Sequence, residues 1–172
     1  MLKKLETELK LRGFSQRTIE AYTLHNRKFI EHIKKSPEKV NEEDIKGYIG
    51  FLISNKNSPR SLALKKAALK FLYDEILKRN IVNFKTPKIP KSIPSVLTKD
   101  EIKKLIENSG SYKTKMIIKF LYSSGLRLSE LSELKINDLE LKDKMGWVRR
   151  GKGSKDRMFI LSDSIVKELD EY

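Results

Sequence analysis

The sequence predicts a mainly α-helical protein with a small antiparallel sheet confined to its second half, and three observations predict it. Apolar residues recur at helical spacing through most of the first 80 residues, between clear start and stop signals. A run carrying Pro87, Pro90 and Pro94 then rules out a continuous helix. Beyond it, MGWVRR at 145–150 and MFIL at 158–161 have strand-like composition, and GKGSKD between them is turn chemistry. The expected plan is a helical unit over residues 1–82, a Pro-rich basic linker over 83–97 and an α+β unit over 98–172.

Each element has a local reason. Leu2, Leu5 and Leu9 share one face of a short helix that stops at Gly13. Ser15 caps a second helix, Gln16–Lys34, whose buried stripe is Ile19, Tyr22, Phe29, Ile30 and Ile33. Asn41 and Asp44 form a capping box for a third helix, with Val40 and Ile45 as its hydrophobic staple. That helix buries Ile45, Tyr48, Ile49 and Leu52. Ser58 followed by Pro59 starts a fourth, running to about Arg79. Thr98 and Glu101 make a second capping box, and Ile102, Leu105 and Ile106 form the core face behind it. A helix over about Lys113–Ser124 follows, then strands near Leu139–Lys142, Gly146–Arg150 and Arg157–Leu161. Ser162 or Asp163 caps a last helix, Ser164–Tyr172.

Composition narrows the partner. Lys and Arg number 37 against 23 acids, a net charge of +14, and the first 90 residues hold 20 basic residues against 10 acidic. Such a balance points to a polyanion, nucleic acid above all, although a Lys-rich solvated surface gives the same count. Arg60, Lys65, Lys66 and Lys70 crowd the early half of the fourth helix, where Lys66 and Lys70 repel at i,i+4. Phosphates would relieve that repulsion. Lys85, Lys88 and Lys91 alternate with the linker prolines, and residues 76–99 contain no acid. An extended segment of this kind can follow a phosphate backbone.

The absence of Cys excludes disulfides and thiolate metal sites. His25 and His32 read as surface or boundary residues, and no acid–His spacing suggests a metal. No cofactor is expected. No stretch approaches the length of a membrane span, and the amphipathic MLKKLETELK is unlike a signal peptide, so a cytoplasmic protein is expected.

Two stretches carry chemistry. In LYSSGLRLSELSEL at 121–134, Gly125 suits the end of a helix, Ser129 suits the cap of the next, and Arg127 falls on the corner between them. Leu121, Leu126, Leu128, Leu131 and Leu134 anchor that corner. A guanidinium there presents a planar fork suited to two phosphate oxygens. In RRGKGSKDR at 149–157, Lys152 sits at the tip of a β-hairpin, a proton donor on a flexible stem.

Together and in this order, GLRLSEL and RRGKGSKDR resemble the tyrosine recombinase (phage integrase) family, most closely its Xer members. GFSQRTIEAY and SPRSLALKKAALKFLY resemble the same family's N-terminal half. The resemblance implies a four-helix, SAM-like core-binding domain followed by the first, α+β part of a catalytic domain. It places the first catalytic arginine at Arg127 and the catalytic lysine at Lys152; the charge pattern, apart from the resemblance, offers Arg60, Lys65, Lys66, Lys70, Lys88, Lys91 and Lys155 as DNA contacts. The implied partner is double-stranded DNA at a specific site, with self-association as a tetramer on DNA. No metal or nucleotide is implied, because bond energy is kept in a 3′-phosphotyrosine link.

The chain departs from the family pattern at one point. No His follows His32, so the family's His-x-x-Arg motif is absent, and Tyr172 comes too early to be its nucleophile. The expectation is a recombinase missing its last catalytic segment. The alternative is a DNA-binding or regulatory module that never cleaves.

Overall fold

The computed structural model describes residues 1–90, 93–149 and 156–171, and the chain divides into two compact units, Met1–Ile93 and Pro94–Tyr172. The first is all-helical: α1 (Leu2–Leu11), α2 (Gln16–Ile33), α3 (Glu42–Ser54) and α4 (Pro59–Lys70). The start signals act as expected. The Ser15 hydroxyl accepts from the Thr18 amide at 3.3 Å, and that of Ser58 from the Ser61 amide at 3.2 Å. Asn41 and Asp44 exchange reciprocal bonds of 2.9 and 3.0 Å, above a fully buried Val40–Ile45 staple. Each such cap contributes about 1 kcal/mol. Gly13, at φ 71°, ends the first turnback, and the Phe14 amide closes onto Leu9 O at 3.0 Å.

The core of this unit is built from Leu5, Leu9, Phe29, Ile45, Leu62, Leu69, Leu72 and Tyr73, with Phe29 meeting Tyr73 edge-on at 5.8 Å. On α2 the stripe differs from the expected one. Ile19 and Phe29 are buried, whereas Tyr22, Ile30 and Ile33 are only partly covered, and Thr23 and Asn26 take the central places. Asn26 earns its burial by reaching across to α4: its Nδ2 donates to Tyr22 O and Ala68 O, both at 2.9 Å.

α4 does not continue to Arg79. Beyond Lys70 the backbone widens into a π-helical turn over Phe71–Ile76, and Lys78 at φ 56° ends it. The widening lets four consecutive residues, Phe71 to Asp74, be buried together, which a regular helix with one inner face does not allow. Asp74 then fastens the returning chain. Its carboxylate accepts from the Ile81 amide at 2.8 Å and the Val82 amide at 3.3 Å, and Phe84 lies against the same core.

The second unit holds α5 (Lys99–Asn108), α6 (Tyr112–Ser124), α7 (Leu128–Glu133), a three-stranded sheet and α8 (Asp163–Asp170). The strands β1 (Leu139–Glu140), β2 (Met145–Val148) and β3 (Arg157–Ile160) are antiparallel in the order β1-β2-β3, with Gly146 opposite both Leu139 and Phe159. β1 is two residues long because the chain turns at Leu141–Lys144, where Lys144 adopts φ 53°. Gly146 is required by a close approach. A Cβ there would stand 2.4 Å from Phe159 Cζ and 3.0 Å from Leu139 Cδ2. Phe120, Leu126, Val148, Phe159, Leu161 and Ile165 form the core, and Ser162 caps α8.

The capping box of Thr98 and Glu101 is present, but the face behind it is not a core face. No residue of α5 is buried, and Leu105 is 46% exposed. α5 packs mainly along α6, and one neighbouring helix covers only part of its apolar stripe.

Candidate catalytic corner and nucleic-acid interface

The corner around Arg127 is set by backbone chemistry first. α6 ends at Gly125, whose φ of 64° lies in the left-handed region and whose amide bonds Leu121 O at 3.1 Å. Leu126 turns inward and is buried. Arg127 is extended and is itself the N-cap of α7, so Ser129 lies inside the helix and is not its cap. The reason is Glu130, three residues on, whose Oε2 accepts from the Arg127 amide at 2.8 Å. That reach-back is half of a capping box, and it draws the helix start to Arg127. Leu121, Leu131 and Leu134 pack beneath the corner as expected, but Leu128 is 65% exposed and anchors nothing.

Glu130 is the central group. Its side chain is only 7% exposed, yet it carries a carboxylate shared by two guanidinium groups. Arg127 Nη1 donates to Oε1 at 2.7 Å, and Arg157 Nη2 donates to Oε2 at 2.7 Å. The amide bond from Arg127 and then the two arginine side chains hold its pKa down to about 2, against the opposing effect of desolvation. The Arg127 side chain remains 60% exposed. A guanidinium pinned at one nitrogen and otherwise open is a pre-aimed donor set for an anion.

Arg157 begins β3, the strand paired antiparallel with β2. Its bond to Glu130 therefore ties the base of the hairpin to the Arg127 corner, across 27 residues of sequence. At the last described positions of the hairpin, Arg149 pairs with Asp138 at 3.6 Å and Asp156 at 3.5 Å, and lies 5.2 Å from the Trp147 ring centroid. Lys152 and Lys155 lie outside the described residues, as does Lys91 of the linker.

The other basic residues are distributed unevenly. Arg60, Lys70 and Lys88 are exposed. Lys65 is half-buried and its ammonium donates to Asn57 Oδ1. Lys66 does not stand free for phosphates. It donates to Phe84 O and lies 4.7 Å from the Phe84 ring centroid, clasping the chain that leaves the helical unit. Burial, followed by neighbouring Lys70, lowers its pKa. Two members of this surface went unrecognised in the sequence: His25 and Lys28 of α2 are brought to Lys65 by the packing of α2 on α4. Glu130 had a signal, an acid three residues after a possible cap, hidden by assigning the cap to Ser129. Arg157 closes the RRGKGSKDR run, but nothing in that run links it to Glu130, because only tertiary contact brings it to the corner.

Among the described residues no group of three or more His, Asp or Glu is placed to hold a metal ion, and no helix is long and apolar enough to cross a membrane.

Two family descriptions match most of the chain between them: the phage integrase N-terminal SAM-like domain over residues 1–83, and the phage integrase family over residues 95–172. The chain belongs to the phage integrase, or tyrosine recombinase, family. Among its relatives, the tyrosine recombinase XerA of Pyrococcus horikoshii is 38% identical over 173 residues, covering 100% of this chain and 59% of the relative. The tyrosine recombinase XerD of Listeria innocua is 30% identical over 178 residues, covering 94% of this chain and 59% of the relative. The chain thus spans 59% of the length of these tyrosine recombinases. Among solved structures, a lambda integrase tetramer bound to a Holliday junction superposes with a TM-score of 0.73 at 22% identity, covering 99% of this chain and 54% of that one. That likeness establishes the shared tyrosine recombinase fold: a SAM-like helical domain followed by part of the catalytic domain.

Proposed function

We propose that this chain is the DNA-gripping part of a site-specific tyrosine recombinase, acting in the cytoplasm on double-stranded DNA through a 3′-phosphotyrosine. The observation that carries the proposal is the Arg127 corner, an exposed guanidinium held at its base by a buried carboxylate that Arg157 also grips. Arg127 binds the non-bridging oxygens of the scissile phosphate and the charge that builds on them. Lys152 gives a proton to the departing 5′ oxygen. Arg60, Lys65, Lys70, Lys88, Lys91 and Lys155 contact phosphates elsewhere, and Lys66 joins them only by releasing Phe84. No metal or nucleotide enters, since the phosphotyrosine conserves the bond energy. The lambda integrase neighbour is a tetramer on its junction, and the same assembly is proposed for the complete recombinase. Residues 83–97 act as the link between two separately folding parts. Limited proteolysis should cut beyond Phe84, because Asp74 and Lys66 hold the chain up to there.

The 172 residues contain no His after His32, so in this reading the His-x-x-Arg motif and the nucleophile come from polypeptide outside them. The chain alone then binds duplex DNA but forms no covalent adduct on a nicked suicide substrate. Fused to a segment bearing those groups, it gains cleavage, and Arg127→Ala in the fusion costs on the order of 10²–10³ in rate. With about five phosphates neutralised, log affinity should fall against log salt with a slope of roughly −4 to −5. No binding at low salt, or affinity indifferent to salt, overturns the DNA reading. Salt-dependent binding with no cleavage in the fusion favours the alternative, a DNA-binding module that regulates without cutting.

A further inference from the structure

Within the helical unit one set of basic groups converges, and among the described residues none of them pairs with an acid. His25 and Lys28 lie one turn apart on α2, and α4 packs against α2 where Asn26 Nδ2 donates to Ala68 O at 2.9 Å, which brings Lys65, one turn before Ala68, toward them. Lys65 and Lys28 both bear on the His25 ring, and Lys28 bears on Lys65. The ammonium of Lys65 is held by a neutral acceptor, Asn57 Oδ1, and Asn57 is fixed in turn by donating Nδ2 to Leu52 O at 2.9 Å. None of the three basic residues has an ion pair among the described residues, although acids number 10 in the first 90 residues.

The imidazole is half-buried. The charges that bear on it are positive, one from α4 and one from its own helix, and none comes from α1 or α3 among the described residues. Burial and then the two lysines therefore oppose its protonation. An anion placed among the three reverses both effects of charge. It cancels the lysine repulsion and gives the imidazolium an acceptor.

We propose that His25, Lys28 and Lys65 form a proton-linked phosphate site, where a phosphodiester of duplex DNA binds and His25 takes up a proton as it does so. This rests on the DNA-binding reading above and adds a pH control to it. Burial and the two lysines hold free His25 below its ordinary 6.5, and a phosphate bound beside it raises that titration. Between the free and the bound titration affinity rises as pH falls, by up to about tenfold per pH unit.

The test uses the whole chain and a 20-base-pair duplex of arbitrary sequence in low salt. With two histidines in the chain, His32→Gln assigns the imidazole signals in an NMR titration. Three results are expected. The His25 titration moves up when duplex is added. Calorimetry in buffers of different protonation heat near pH 6.5 shows uptake of a large fraction of one proton per chain, and this uptake disappears in His25→Gln. Lys28→Ala, a change at an exposed side chain, raises the His25 titration in the free protein with no DNA present. The proposal is overturned if duplex binds while the His25 titration stays in place, or if His25→Gln takes up as many protons as the parent. It is equally overturned if Lys28→Ala leaves free His25 unmoved, because the three groups then do not form one site. Failure of the duplex to bind at any pH overturns the DNA-binding reading and this site with it.

Discussion

Replacing Glu130 by Gln should destabilise the second unit in a way that depends on pH. Glutamine keeps the size and one oxygen but removes the charge that Arg127 and Arg157 share. The native carboxylate is held at about 2 against an ordinary 4.5. Holding a carboxylate that far below its ordinary value corresponds to a ceiling of about 3.4 kcal/mol. Both arginines are partly in water, so screening reduces this to roughly 1.5 kcal/mol. For a unit of this size that is a fall of roughly 6–12 °C in Tm. The sign follows from a depressed carboxylate. The stabilisation is fully present above pH 4.5 and is lost as pH falls through 2. The gap between parent and Glu130→Gln should therefore be full at pH 7, shrink to less than half by about pH 3, and vanish near pH 2. Trp147, the single tryptophan, lies in β2 and reports the unfolding of this unit by fluorescence in urea. A gap of equal size at pH 7 and pH 2.5 would show that shape, not charge, makes Glu130 important. A gap below about 0.5 kcal/mol at pH 7 would reduce the two-arginine bridge to an ordinary surface pair.

Two further outcomes follow from packing. Gly146→Ala puts a methyl group into the Phe159 ring and should cost about 1–3 kcal/mol in the same fluorescence assay, whereas a change within about 0.3 kcal/mol would contradict the contact. Asp74→Ala removes the acceptor for the Ile81 and Val82 amides, so hydrogen exchange at both should accelerate by about tenfold or more, while amides in α3 keep their protection.

The sequence by itself determined the elements whose causes are local. The caps at Ser15, Asn41, Ser58 and Thr98, the left-handed stop at Gly125 and the strand-forming runs at Met145–Val148 and Arg157–Ile160 each depend on residues within a few positions of one another. The two family motifs were legible for the same reason, since each is a short contiguous run. Tertiary structure decided whatever needed a partner from elsewhere in the chain. Asn26, outside the expected apolar stripe of α2, is buried because α4 offers it the Ala68 carbonyl. The helical period extends α4 to Arg79, but burying four consecutive residues at Phe71–Asp74 forces a wider turn. Ile102, Leu105 and Ile106 have the spacing of a core face, yet spacing does not say how many neighbours arrive to cover it. The same limit governs the site. Arg127 is named by its motif, but its side chain is held by a buried carboxylate that Arg157, 27 residues further along the chain than Glu130, also grips. A buried charge is stable only when paired, and the pairing is a property of the folded chain.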